Sequence, residues 1–176
     1  MEAFSIKRTI RLSESLLMAG YGIIFLFMLL HDWVPLGSLN DVSAVMADRS
    51  AKELLVVTAI GVGQVLLLIG LILLFIGKRY PLWAKLWLVI HPSFIFGGAL
   101  IAWWIPYLFG IGAQERAPRY QEMFGSTHSF LPVMNGMVPN TIHFIFHATL
   151  LLSIILTIYI FLTDRKKAEQ HQGITS

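Results

Sequence analysis

Cysteine is missing from all 176 residues, and with it go disulfides, thiolate metal centres, cysteine nucleophiles and iron–sulfur clusters. Charge is scarce as well: Asp, Glu, Lys and Arg make up 13% of the chain against 56% hydrophobic residues. A soluble domain carries about 25% charged residues, so this chain lacks the means to cover itself with a water-facing surface. No Walker motif, Gly-rich dinucleotide fingerprint or serine-triad signature occurs, which leaves nucleotide-driven and serine-hydrolase chemistry without a carrier. Neither an internal repeat nor a low-complexity segment is present.

What the chain has in quantity is long apolar sequence, with a mean hydropathy of +0.71. Four runs, roughly Leu12 to His31, Leu54 to Ile76, Trp83 to Phe109 and Thr141 to Leu162, each suffice to cross about 30 Å of hydrocarbon. They predict an all-α integral membrane protein, a four-transmembrane-helix bundle forming one domain over residues 1–176. The first run follows Lys7, Arg8 and Arg11 but is long for a signal peptide, and Val42-Ser43-Ala44 is a weak cleavage site, so it reads as a retained helix. Lys78, Arg79 and Lys85 and the C-terminal Arg165, Lys166 and Lys167 fall on the same side as the N-terminal cations, whereas Arg49, Lys52, Arg116 and Arg119 fall on the other. The positive-inside rule then places both termini, and the polar tail from Asp164 to Ser176, in the cytoplasm of a cell-membrane protein, with the two longer loops outside. The pI near 9.3 comes mainly from these anchors, so it points to the lipid bilayer as partner and not to nucleic acid.

Polar chemistry gathers at the outer end. The last run opens as Pro139-Asn140-Thr141-Ile142-His143-Phe144-Ile145-Phe146-His147, where Asn140 is a favoured N-cap, Pro139 and Phe144 fit a hydrophobic staple, and His143 and His147, four apart, share a helical face. His31 and Asp32 end the first run at the same depth, and His128 lies in the loop just upstream. Trp103, Trp104 and Tyr107 read either as an outer aromatic belt or as a wall on which a ligand stacks. The long segment from Gly110 to Pro139, with Tyr120, Phe124 and Phe130, is expected to fold over the bundle mouth. A divalent transition metal such as Zn²⁺ would find His31, His143 and His147 there with Asp32 or Glu122, and Glu115 is a further acid nearby. Phe144, Ile145 and Phe146 between the two histidines exclude an H-E-x-x-H metalloprotease. His91, about six residues past Lys85, belongs at the opposite end, which argues against a haem between His91 and His147, although His31 with His143 or His147 keeps the ligands for one. Elsewhere, Pro92 predicts a kink beside His91, Gly63 and Gly70 a close helix contact, and Glu14 a shallow carboxylate reaching water beside Arg11.

In layout, four helices with cytoplasmic termini resemble the emopamil-binding and sigma-2-receptor group of sterol-isomerase-like proteins. Members of that group turn carboxylates toward a central cavity; only Glu14 lies within a span here, so the resemblance carries no site residue across. Three functions stay open: binding of a metal ion or small ligand at the outer histidines, for uptake, sensing or delivery; an intramembrane enzyme acting on a lipid-like or quinone-like molecule, with His143 or His147 as acid or base; and an accessory or immunity-type subunit of a membrane complex. The absence of cysteine makes topology directly testable. Gln114→Cys is expected to react with a membrane-impermeant maleimide on intact cells and Gln172→Cys only after permeabilisation; the reverse pattern would overturn the orientation.

Overall fold

The computed structural model describes residues 9–173, with side chains as far as Asp164; Lys7 and Arg8, and the side chains of Arg165, Lys166 and Lys167, lie outside the described residues. In chain order the helices are α1 (Leu12–Leu30), α2 (Ser43–Asp48), α3 (Ala51–Phe75), α4 (Leu82–Ala99), a wide π turn (Leu100–Trp104), α5 (Ile105–Phe109), α6 (Ala113–Phe124) and α7 (Thr141–Gly173). Four stretches are long and apolar enough to cross a membrane: Leu12–Leu30, Ala51–Phe75, Leu82–Phe109 and Thr141–Asp164. They match the four apolar runs, except that the second begins earlier and the last continues as helix to Gly173, past the expected end near Leu162.

Local chemistry explains the boundaries. At α3, Ser50 Oγ accepts the Glu53 N–H and Glu53 Oε2 accepts the Ser50 N–H, a reciprocal capping box. α5 stops at Gly110, whose φ of 73° suits a residue without Cβ. Beyond α6 the chain turns back through Asn135 and Gly136, both at positive φ, while Met134 and Met137 exchange backbone hydrogen bonds. This is the two-residue turn that an Asn-Gly pair favours.

α1 packs on both α3 and α7, and α7 packs on α4, so the four spans line up as α3–α1–α7–α4, with α3 and α4 meeting over a short stretch only. The core runs along that line: Leu17, Tyr21 and Ile24 of α1, Val65, Leu68 and Ile72 of α3, Leu88 of α4, and Phe146, Leu150 and Ile154 of α7. α1 and α7 pack closely at Gly20, where a Cβ would stand 2.8 Å from Ser153 Oγ. The predicted close contact at Gly63 and Gly70 is not formed: nothing lies within 4 Å of a Cβ at either, and both line an apolar groove between α3 and α4. Leu66, Leu67, Leu73 and Leu74 are half or more exposed, apolar surface that water would disfavour by roughly 25 cal/mol per Å² and hydrocarbon accommodates.

α4 runs through Pro92, where the Ser93 hydroxyl donates to Val89 O (2.7 Å), and a π turn follows at Leu100–Trp104. One further expectation is corrected. Glu14 does not reach water; it is fully buried, accepts the Arg11 backbone N–H at 2.9 Å and lies 3.8 Å from the Arg11 guanidinium. Arg11 also pairs with Asp164 (2.9 Å) and donates to Thr163 (3.0 Å), joining the start of α1 to the end of the last span. A cation shared between two acids at the edge of hydrocarbon stabilises that junction because both carboxylates are largely withdrawn from water. Arg11→Gln is expected to lower the unfolding free energy by roughly 2–4 kcal/mol in detergent-based denaturation, and Arg11→Lys by less; an unchanged curve for Arg11→Gln would contradict a stabilising role.

Candidate functional site

At the end of the spans that carries the longer connections, α7 starts from a cap that does several things at once. Asn140 Oδ1 accepts the His143 backbone N–H (3.0 Å) and the His143 ring at Nδ1 (2.7 Å), while its Nδ2 donates to Thr127 Oγ1 (3.1 Å). A carbonyl oxygen only accepts, so the His143 proton sits on Nδ1 and the lone pair on Nε2. The ring is packed against Trp103 (4.7 Å between centroids), Phe124 (5.0 Å) and Phe27 (5.3 Å).

His31 ends α1 with Nδ1 2.9 Å from Phe27 O, its ring stacked on Phe27 and its Nε2 3.3 Å from Asp32 Oδ1. Asn40 Nδ2 donates to the carbonyls of His31 and Val34, closing helix-end acceptors that have no partner within α1. Trp33 Nε1 donates to Thr58 Oγ1 on α3 (2.8 Å). His147, one turn below His143, receives the Trp104 Nε1–H at its Nδ1 (3.2 Å), which puts the proton of a neutral His147 on Nε2. The two tryptophans of the π turn differ in their contacts: Trp103 packs on His143 (4.7 Å between centroids) and borders His147 (6.2 Å), whereas Trp104 makes the hydrogen bond to His147. Within that turn, the Ala102 carbonyl accepts from the Tyr120 hydroxyl (3.0 Å).

Tyr120 belongs to α6, which crosses this end. Trp103 meets Tyr120 and Phe124 at 4.4 and 5.1 Å, and Arg119 pairs with Asp48 of α2 at 2.7 Å. Asp41 accepts from Ser43 and from Ser126 (2.9 Å), tying the two connections together. These hydrogen bonds, the Ser43 hydroxyl foremost, hold the Asp41 carboxyl below its usual range, so the tie is present at neutral pH and is lost as acidity protonates it. Burial pushes the Tyr120 phenol up, opposed by Arg116 and Arg119, so it stays a neutral donor.

Between these elements lies a cavity of about 470 Å³. Of the residues expected to bind a ligand, His31, Asp32, Trp103 and His143 line it; Trp104, Tyr107, His128, Asn140 and His147 do not. Those five act around it. Tyr107 is buried, donating to Pro132 O and accepting from Asn135, while His128 is exposed and bonds Thr141 at the start of α7. Trp103 is 7% exposed, inside the fold and not in an outer belt. His91 stacks on Trp87, apart from the other rings. Not expected at the site were Asn40, Val45, Arg49, Val57, Arg116, Arg119 and Met123, all on the wall beside Tyr120 and Phe124 of the segment expected over the bundle mouth. Arg116, Tyr120, Met123 and Phe124 follow helical spacing, and that stripe was the available signal.

The metal reading is not supported. Among the described residues no group of three or more metal-ligating side chains converges on a point. The geometry gives the reason: His143 stands 6.1 Å from each of His31 and His147 between ring centroids, His31 Nε2 faces Asp32, His147 Nδ1 is taken by Trp104, and Glu122 is exposed and off the wall. Three imidazole lone pairs are therefore not directed at one ion.

Comparison with known protein families, with curated proteins and with solved structures gives no match for this chain. The likeness to the emopamil-binding group accordingly stays one of layout, and the functional reading rests on the cavity.

Proposed function

We propose that this is a multi-pass cell-membrane protein, both termini cytoplasmic, that binds a small molecule in the cavity facing away from the cytoplasm, for uptake, sensing or delivery. α6 serves as the cover of that cavity. One observation carries the reading: His31 at the end of α1, the first connection, α3, the π turn, α6 and α7 each contribute a side chain to one space of about 470 Å³, within the range of about 300–1,000 Å³ that suits small ligands. Its walls combine flat apolar faces, Trp103 and Phe124, with a few converging polar groups, including His143 and Arg116. Such a combination orients a ligand through hydrogen bonds while the aromatic faces exclude water.

A second reading is favoured by the His143 tautomer. A neutral imidazole with its lone pair on Nε2 has the form of a general base, so an enzyme acting on a lipid-like or quinone-like molecule would use the same cavity. Binding comes first in either case. Val57 stands on the wall, and Val57→Trp would fill part of the space without disturbing the capping network. Protein purified from native membranes in mild detergent is expected to retain a defined small molecule by native mass spectrometry, and Val57→Trp to reduce its occupancy by about tenfold or more. Equal retention by a folded Val57→Trp protein, or no retained species in the wild type, would overturn the proposal.

A further inference from the structure

The wall of the cavity says more about its occupant than that it is small. Five of the lining side chains bear full charges: Asp32, Arg49, Glu115, Arg116 and Arg119. Asp32 lies against His31 Nε2 at 3.3 Å and Arg119 is paired with Asp48 at 2.7 Å. A neutral His31 leaves the Asp32 charge in place, so two guanidiniums, Arg49 and Arg116, share the wall with two carboxylates, buried Asp32 and exposed Glu115. Both arginines are half-buried, so water screens them less than it would on an open surface.

Their placement is built. Arg49 follows Asp48 at the end of α2, and Arg116 lies three residues before Arg119 on α6; the Asp48–Arg119 ion pair clasps these two helices and so brings the neighbouring guanidiniums to the wall of one cavity. Arg116 stands beside the Tyr120 hydroxyl one turn along, and Arg49 lies within electrostatic reach of His31 and of the Glu53 carboxylate. Two arginines from different elements bordering one partly enclosed space suit a phosphate or carboxylate, since the guanidinium fork matches the oxygen geometry and stays charged at every physiological pH. Next to them His143 Nε2 supplies an acceptor, suited to a hydroxyl beside the anion, and Trp103 and Phe124 supply the apolar wall.

We infer that the ligand is an oxyanion-bearing molecule with an apolar or aromatic body, its anionic group held by Arg49 and Arg116 and its body laid against Trp103 and Phe124. The inference rests on the ligand-binding reading above and adds its chemical class. The oxyanion may come from a soluble compound or from a lipid headgroup; the phosphate monoester is common to both.

The test uses the full chain in neutral detergent and four probes: phenyl phosphate and its neutral counterpart phenol, and short-chain phosphatidic acid and its neutral counterpart diacylglycerol. Tryptophan fluorescence reports binding, with Trp103 in the wall. At least one phosphate probe is expected to bind at least tenfold more tightly than its neutral counterpart, and less tightly as salt rises. Arg49→Gln and Arg116→Gln should each raise Kd about tenfold, with Arg→Lys recovering part of the loss. Preference for phenyl phosphate assigns a soluble source, preference for phosphatidic acid a lipid one, and either supports the inference. Neutral probes binding as tightly as the phosphates, or unchanged affinity in both folded Arg→Gln variants, would overturn it. If those variants keep the co-purified molecule while Val57→Trp loses it, the anion assignment falls and ligand binding stands; if Val57→Trp keeps it too, both fall.

Discussion

One amide side chain organises the end of the molecule where the site lies. The first turn of a helix leaves backbone N–H groups without intrahelical partners, and where α7 begins they face a region that becomes hydrocarbon within a turn or two. Asn140, 1% exposed, answers this with a single acceptor that takes both the backbone and the ring N–H of His143, and with a donor to Thr127 in the preceding connection. Cap, histidine tautomer and loop attachment are therefore one interaction. Once His143 is oriented in this way, Trp103, Phe27 and Phe124 can close around its ring, and α6 has an aromatic surface to lie on.

The same economy governs the rest of that end. Several polar side chains there have specified partners: Trp33 with Thr58, Trp104 with His147, Tyr120 with the π-turn carbonyl of Ala102, and Asn40 with two carbonyls that end α1. In a medium that offers no replacement hydrogen bonds, such pairings fix orientation as much as they stabilise. They also decide what the histidines can do. His147 is committed to Trp104, whereas His31 and His143 each give Nδ1–H to a carbonyl oxygen and border the cavity, His31 with its Nε2 beside Asp32 and His143 with its ring among aromatic faces. Imidazoles that look alike in sequence thus differ in what surrounds the second ring nitrogen.

Apolar runs of about twenty residues have few alternatives to a membrane-spanning helix, so all four spans were legible, as were the Asn140 cap and the separate place of His91. The site was legible only in part, because His31, Asp32, Trp103 and His143 were visible as polar or aromatic groups at a common depth, whereas their roles depend on packing. Trp103 and Trp104 are adjacent in sequence and look interchangeable; the packing of Trp103 on Tyr120, Phe124 and His143 and the hydrogen bond from Trp104 to His147 distinguish them. Arg49 and Arg116 counted as minority charges in the topology argument and gained a role only when the Asp48–Arg119 pair joined α2 to α6. Glu14 was placed beside Arg11 correctly but at the wrong depth, since the second acid that shares the cation, Asp164, is 150 residues away in sequence. The Asn135-Gly136 turn, by contrast, had a signal that could have been read directly.

Asn140 sets His143 as the neutral ring with its proton on Nδ1 and its lone pair on Nε2, in the wall of the cavity proposed to hold a small molecule. Nitrogen NMR of protein labelled at histidine, in bilayers at neutral pH, tests this, with His143→Gln to assign the signal. His143 is expected to show a protonated Nδ1 and an unprotonated Nε2, with the pattern reverting toward the ordinary Nε2–H tautomer in Asn140→Ala. A His143 with its proton on Nε2 in the wild-type protein, or a pattern indifferent to Asn140, would contradict it.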